Sequence, residues 1–276
     1  MRSSTITTPK KIYIYCDEGS NAISIRAVKW ALSQELSKEH YCILPVKRSL
    51  FINDNWQAEC ALIIFPGGRD IPYHEALQGK PNESILRYVQ DGGNYLGICA
   101  GAYYGAAQLE FEKGMPLEVI TTRELRFFPG LATGPAYGLG LFRYEDESGS
   151  RLARIETACG QNLQAYFNGG CCFHSPDQFS HVHTIGYYCD IPNKPAAIVS
   201  CKINAGRAVL SGVHPEHGLP FFNRLPCITA DMRPQLETSR RKLFRLLLQE
   251  FKLNLLPYNK SDFKLHLQPF ICTQIE

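Results

Sequence analysis

Asn94-Tyr95-Leu96-Gly97-Ile98-Cys99-Ala100-Gly101-Ala102-Tyr103-Tyr104-Gly105 is the stretch on which the fold turns. Tyr95 to Cys99 is an apolar run of strand length, and the small residues from Ala102 to Leu109 suit a helix. A strand that passes directly into a helix puts Cys99 on a sharp turn with a strained backbone. Glycines two residues to either side let neighbouring backbone come close. This is the nucleophile-elbow arrangement, with cysteine at its centre. Cys99 is expected to stand above a sheet edge, where the unpaired N–H groups of the helix and its dipole favour a thiolate. The N–H of Ala100 is left free to bind an oxyanion.

Upstream, short apolar runs alternate with helical patterns. Ile12 to Cys16 reads as a strand, followed by a helix with Ser24 as N-cap and Ile25, Val28, Leu32 and Leu36 on one face. Cys42 to Val46 and Ala61 to Phe65 read as strands, the latter stopped by Pro66-Gly67-Gly68. Asn82 is placed as the cap of a helix that buries Ile85, Leu86 and Val89 and ends at Gly92-Gly93. Such alternation predicts an α/β fold, a parallel sheet with helices on both faces.

Downstream of Leu117 the pattern changes to shorter strands of mixed direction joined by Gly- and Pro-rich loops. The candidates are Leu117 to Thr121, Leu163 to Phe167, Ala197 to Lys202 and Ala208 to Val213. A last helix, Pro234 to about Phe251, has Pro in its first turn and buries Leu236, Leu243 and Leu247. No repeat or linker interrupts the chain. We expect one domain over 11–255, an N-terminal tail over 1–10 and a C-terminal extension over 256–276.

Composition narrows the function classes. With 29 Lys and Arg against 26 Asp and Glu among 276 residues, the net charge is +3. The densest basic run is Arg240-Arg241-Lys242, which we take as a solvated helix face, so no nucleic acid partner is expected. The eleven cysteines are odd in number and irregularly spaced, and several lie inside apolar runs, as with Cys60 and Cys201. They read as reduced thiols of a cytoplasmic protein. Met1 to Lys11 lacks the apolar stretch of a signal peptide. No segment reaches the ~20 apolar residues of a membrane span, so no membrane partner is expected.

A cysteine nucleophile needs a base. Val213-His214-Pro215-Glu216 follows a late apolar run. Pro215 restricts His214 to extended backbone, and residues two apart on extended chain project to the same side, so Glu216 can reach the His214 imidazole. The carboxylate would fix the tautomer and stabilise the charged ring. A second oxyanion donor is expected from Gly68, at the matching end of an earlier strand. Cys171-Cys172, His174, His181 and His183 crowd one stretch, but adjacent cysteines suit a tetrahedral ion poorly. Neither a metal nor a cofactor is expected.

Pro66-Gly67-Gly68, Gly97-Ile98-Cys99-Ala100-Gly101 and His214-Pro215-Glu216 stand in the order found in class I glutamine amidotransferases, which the chain resembles. A closer resemblance, over about Lys11 to Leu255, is to the N-terminal amidotransferase-like domain of biotin–protein ligases. It is carried by Phe65 to Tyr73, Gly92 to Gly105, Arg123-Glu124-Leu125, Phe127-Phe128-Pro129-Gly130 and Tyr166-Phe167-Asn168-Gly169-Gly170. The resemblance implies a flavodoxin-like, doubly wound, mostly parallel sheet and a Cys99, His214, Glu216 triad with Gly68 and Ala100 as oxyanion donors. It also implies substrate contacts at Gly67, Asp70, Tyr103, Arg123, Glu124 and Asn168.

Tyr103 stands where the glutamine-hydrolysing members carry Gln, which argues against glutamine as substrate. The Arg/Gly-rich loop of a biotin ligase catalytic domain does not occur in the sequence, so biotin ligation by this chain alone is not expected. The leading expectation is a cysteine-dependent hydrolase of a small-molecule amide-type C–N bond, with a synthetase or a biotin ligase as protein partner. The rival is a non-catalytic regulatory or binding module on the same fold, linked to protein biotinylation.

Overall fold

A computed structural model describes residues 8–53 and 55–257; most of the expected tail and extension, residues 1–7 and 258–276, lies outside them. In chain order the strands are β1 (Lys10–Tyr15), β2 (Tyr41–Val46), β3 (Cys60–Phe65), β4 (Asn94–Ile98), β5 (Ala106–Phe111), β6 (Val119–Thr122), β7 (Phe128–Gly134), β8 (Arg151–Thr157), β9 (Asn162–Phe167), β10 (Cys172–Phe173), β11 (Val182–Tyr188), β12 (Ala196–Ile203) and β13 (Gly206–Ser211). The helices are α1 (Ala22–Glu35), α2 (Ser49–Ile52), α3 (Asp70–Leu77), α4 (Lys80–Gln90), α5 (Ala100–Tyr104), α6 (Leu219–Phe222) and α7 (Arg233–Gln249).

All thirteen strands join one mixed sheet. Its spine runs β2-β1-β3-β4-β13-β12-β10-β7-β5-β6, and β11, β8 and β9 branch from β12. The five strands β2, β1, β3, β4 and β13 are mutually parallel. From β13 to β12 the direction reverses and the pairing becomes antiparallel, apart from the parallel pair β5 and β7. Parallel strands must be covered on both faces because helical crossovers return over the sheet. The period-two alternation of β1, β3 and β4 does this: Tyr13, Tyr15, Ile63, Phe65 and Tyr95 pack into one core with α3 and α4. Ile12, Ile14, Leu62, Ile64, Leu96 and Ile98 pack into the other, with α1 and α7.

Several sequence expectations shift in detail. The N-cap of α1 is Asn21, whose Oδ1 accepts from Ile23 N at 2.8 Å and Ser24 N at 3.2 Å; Ser24 lies one turn inside and is buried. An extended residue with a short polar side chain is what that position requires. Asn82 is no cap either, because α4 begins two residues earlier. Its side chain is buried between Tyr104 Oη and Glu124 Oε2. The helix expected over Ala102 to Leu109 stops at Tyr104; Gly105 ends it, and Leu109 and Phe111 then bury at strand period where β5 pairs with β6 and β7.

Of the basic triplet, only Lys242 lies on a solvated face. Arg240 and Arg241 are buried, and they face acidic partners, Glu237 and Glu35. At the far end, Leu255 bridges to Leu36, which brings the close of α7 back against α1. No helix among the described residues is long and apolar enough to cross a membrane.

Candidate active site

β3, β4 and β13 are adjacent and parallel, so the segments leaving their C-terminal ends meet on one edge of the sheet. That edge is where open α/β sheets hold ligands. Cys99 leaves β4 with φ 52° and ψ −105°, a conformation that L residues rarely adopt. The flanking glycines are required by contact: a Cβ on Gly97 would lie 2.3 Å from Gly101 O, and one on Gly101 would lie 2.1 Å from Phe65 O. The N–H of Cys99 is held by Ser211 O at 2.8 Å.

The segment after β3 is fastened just as closely. Asn21 N donates to Gly67 O at 3.0 Å and Arg69 N to Gly19 O at 2.8 Å. A Cβ on Gly68 would come within 2.0 Å of Gly19 O. Among the described residues, no intramolecular hydrogen bond engages the N–H of Gly68 or of Ala100. Both residues line the cavity that opens over Cys99.

From the end of β13 the chain turns through Val213, with Ser211 Oγ donating to Val213 O at 2.7 Å, and His214 N donates to Tyr166 O at 2.8 Å. His214 Nδ1 then lies 2.8 Å from Glu216 Oε1, and both side chains are buried. The Cys99 sulfur is the other group whose charge acts on this imidazole. The Cys99 thiol also donates to Asn168 O at 3.6 Å. Burial by itself would strip the proton from His214; the Glu216 carboxylate and the Cys99 sulfur override it and hold the imidazole well above its ordinary value. Burial would likewise raise Glu216, but the charge and hydrogen bond of His214 bring it below the usual carboxylate range.

His217, which the sequence reading passed over, stacks on His214 with centroids 5.2 Å apart and planes 16° from parallel. Burial, reinforced by the charges of His214 and Arg240 against the pull of Glu216, pushes it down to about 4. Among the described residues, its two ring nitrogens and Glu216 Oε2 have no hydrogen-bond partner. His214, Glu216 and His217 offer ligand atoms within 4.8 Å of one another, but His214 Nδ1 and Glu216 Oε1 already hold each other. His214 and Glu216 therefore read as a hydrogen-bonded pair, with His217 stacked beside them. Elsewhere, Cys172 and His174 share Thr133 Oγ1, and His183 faces Glu250.

The structure sorts the expected contacts. Gly67, Gly68, Asp70, Cys99, Ala100, Tyr103, Asn168 and His214 all border the cavity. Tyr103 Oη donates to Gly169 O at 3.1 Å, so the tyrosine braces the Asn168-Gly169 turn. Arg123 and Glu124 do not border it. Arg123 is buried behind Asp70, donating from Nη2 at 2.6 Å, and burial outweighs this attraction to leave Asp70 above the usual carboxylate range. Glu124 accepts from Gly79 N and Asn82 Nδ2, completing the start of α4. The sequence reading also missed the wall supplied by Phe142, Tyr144 and Glu147. That segment is irregular and carries no period; in space it is held by Arg69, whose guanidinium lies 4.1 Å over the Tyr144 ring, by Phe111 against Phe142, and by Tyr166 Oη and Asn168 Nδ2, which donate to Glu147 Oε2.

In fold, the chain is class I glutamine amidotransferase-like. A solved glutamine amidotransferase superposes with a TM-score of 0.57 over 88% of this chain and 99% of its own, at 18% identity. PurLQS from Thermotoga maritima superposes with a TM-score of 0.53 over 87% of this chain and 98% of its own, at 15% identity. The chain belongs to the family described as biotin-protein ligase, N terminal, whose family model matches residues 10–274. An uncharacterized protein of Chlamydia muridarum is 39% identical over 217 residues, 77% of this chain and 82% of its own. A biotin–protein ligase of Schizosaccharomyces pombe is 37% identical over 195 residues, 67% of this chain but 30% of that ligase.

Proposed function

We propose that this protein is a cysteine-dependent hydrolase or amidotransferase acting on an amide-type C–N bond. The observation that carries the reading is the convergence of a strained Cys99 and a buried, carboxylate-backed His214 on one cavity. In this reading Cys99 Sγ gives its proton to His214 and attacks the carbonyl carbon, while the N–H groups of Gly68 and Ala100 receive the developing oxyanion. The C–N bond breaks as His214 returns the proton to the leaving nitrogen. Water then attacks the thioester, its proton passing through His214 back to sulfur as the acyl group leaves as a carboxylic acid. Glu216 holds the ring and its charge throughout.

Tyr103, bordering the cavity and fixed to Gly169, supports a small-molecule substrate other than glutamine. Likeness to part of a biotin–protein ligase supports a biotin ligase as partner. Intact-mass labelling with a low dose of iodoacetamide tests the core of the reading. Fast single-site labelling near neutral pH is expected, lost in Cys99→Ser and slowed in His214→Ala. Slow, unselective labelling of all three proteins would leave a binding module as the better account.

A further inference from the structure

α7 contributes a buried ion pair that the chemistry above does not use. Arg240 is 1% exposed, and its Nε donates to Glu237 Oε2 at 3.0 Å while Nη2 pairs with Glu237 Oε1. Burying both charges is unfavourable unless each also satisfies other groups, and the other groups here belong to the loop that holds His214. Arg240 Nη1 reaches Pro215 O at 3.4 Å. Glu237 Oε2 accepts from Leu219 N at 3.0 Å. Between these two grips, Gly218 lies so close that a Cβ would sit 2.9 Å from Arg240 Cζ and 2.1 Å from the Trp30 ring. Trp30, from α1, stacks under the guanidinium at 4.7 Å.

We propose that Arg240 and Glu237 are positioning residues that clamp His214 to Leu219 from both ends and so fix the register in which Glu216 meets His214. The loop after β13 turns at Pro215 and Glu216 and has few backbone partners of its own. From Pro215 to Leu219 the backbone bonds are His217 N to His214 O, long at 3.4 Å, and Phe221 N to Gly218 O at 2.8 Å, which only opens α6, so the α7 pair supplies the missing constraint. Lysine would not replace Arg240, because a single ammonium cannot grip Glu237 with two parallel N–H groups and also reach Pro215.

This inference rests on the reading of Cys99 and His214 as reacting groups, and two separate readouts distinguish its failure from theirs. The first is the pH at which His214 gains its proton, followed by NMR of labelled histidine, with Glu216, Cys99 and His217 as its ionisable neighbours. The second is the rate at which Cys99 is alkylated. Replacing both charges with Arg240→Met and Glu237→Met keeps the volume apolar and avoids an unpaired buried ion. This variant is expected to lower the His214 titration by at least about one pH unit and slow alkylation roughly tenfold. Leu247→Ala, on the same helix and fully buried, should lose stability and move neither readout.

If the double variant does not fold, Arg240→Lys decides, with an expected shift of about half a pH unit. Wild-type values for both readouts in a folded variant, or an equal shift in Leu247→Ala, would overturn the clamp. Should wild-type Cys99 react no faster than the other thiols while the His214 titration still moves, the hydrolase reading falls and the clamp stands.

Discussion

Cys99 donates its backbone N–H to Ser211 O at 2.8 Å, which ties the elbow of β4 to the end of the strand that leads into His214. The register of β4 and β13 continues directly into this bond, with Ser211 opposite Ile98. Two short segments more than a hundred residues apart are thereby set side by side by sheet pairing alone. The relative placement of the Cys99 backbone and the end of β13 is therefore a property of the sheet, from which the loop carrying His214 departs.

Glu216→Gln should separate charge from shape at this site. The amide keeps a hydrogen-bond acceptor near His214 Nδ1 but removes the charge that holds the imidazole proton. The His214 titration is expected to fall and Cys99 alkylation to slow near neutral pH. Linkage gives the sign for stability: because the folded value of His214 is raised, its contribution is full below about pH 6.5 and is lost as pH rises through the folded value. Urea unfolding of wild type should show that alkaline loss, and the variant a flatter profile.

His217 predicts the opposite slope. Its folded value is pushed down to about 4 from 6.5, so below pH 6.5 the unfolded chain takes a proton that the folded ring refuses. A difference of about 2.5 pH units at about 1.4 kcal/mol each corresponds to roughly 3 kcal/mol lost between pH 6.5 and 4. His217→Phe fits among Tyr166 and Phe221 and should remove most of that slope in urea titrations. An unchanged slope would mean that the ring is protonated in the folded state.

Arg123 should matter for stability and not through contact with substrate. Removing it with Arg123→Met strands Asp70, whose carboxyl is already strained by burial; a loss of roughly 3 kcal/mol is expected. Asp70→Asn in addition should restore much of it. The cycle of single and double variants, read by chemical denaturation, measures the coupling. Additive losses would count against a buried pair.

The core of the site was legible because its determinants are local. Gly97 and Gly101 flank Cys99 at a spacing fixed by backbone contact, and Pro215 constrains the residue before it. The parallel half of the sheet was legible for the same reason, since each strand and its helix carry their own period. β7, β8 and β11 left little trace, because their burial depends on partners distant in sequence: β7 lies between β5 and β10, and β11 between β8 and β12. Arg240 and Arg241 misled because charge in a helical sequence reads as exposure, and only the fold reveals Glu237, Glu35 and Trp30 waiting for them. His217 had no signal beyond its place three residues after His214.

Cys99→Gly against Cys99→Ala isolates the strain at the elbow. Both variants delete the sulfur and its bond to Asn168 O, and both should abolish selective alkylation. They differ in what φ 52° and ψ −105° cost them. Alanine must hold a conformation worth roughly 1–3 kcal/mol of strain, whereas glycine adopts it freely and loses only its greater unfolded-state entropy, about 0.5–1 kcal/mol. The glycine variant is expected to be the more stable by about 1 kcal/mol in thermal and urea unfolding. Equal stability, or a more stable alanine variant, would show that the backbone at Cys99 relaxes once the thiol is gone, so that the sulfur's contacts hold the turn and not the glycines around it.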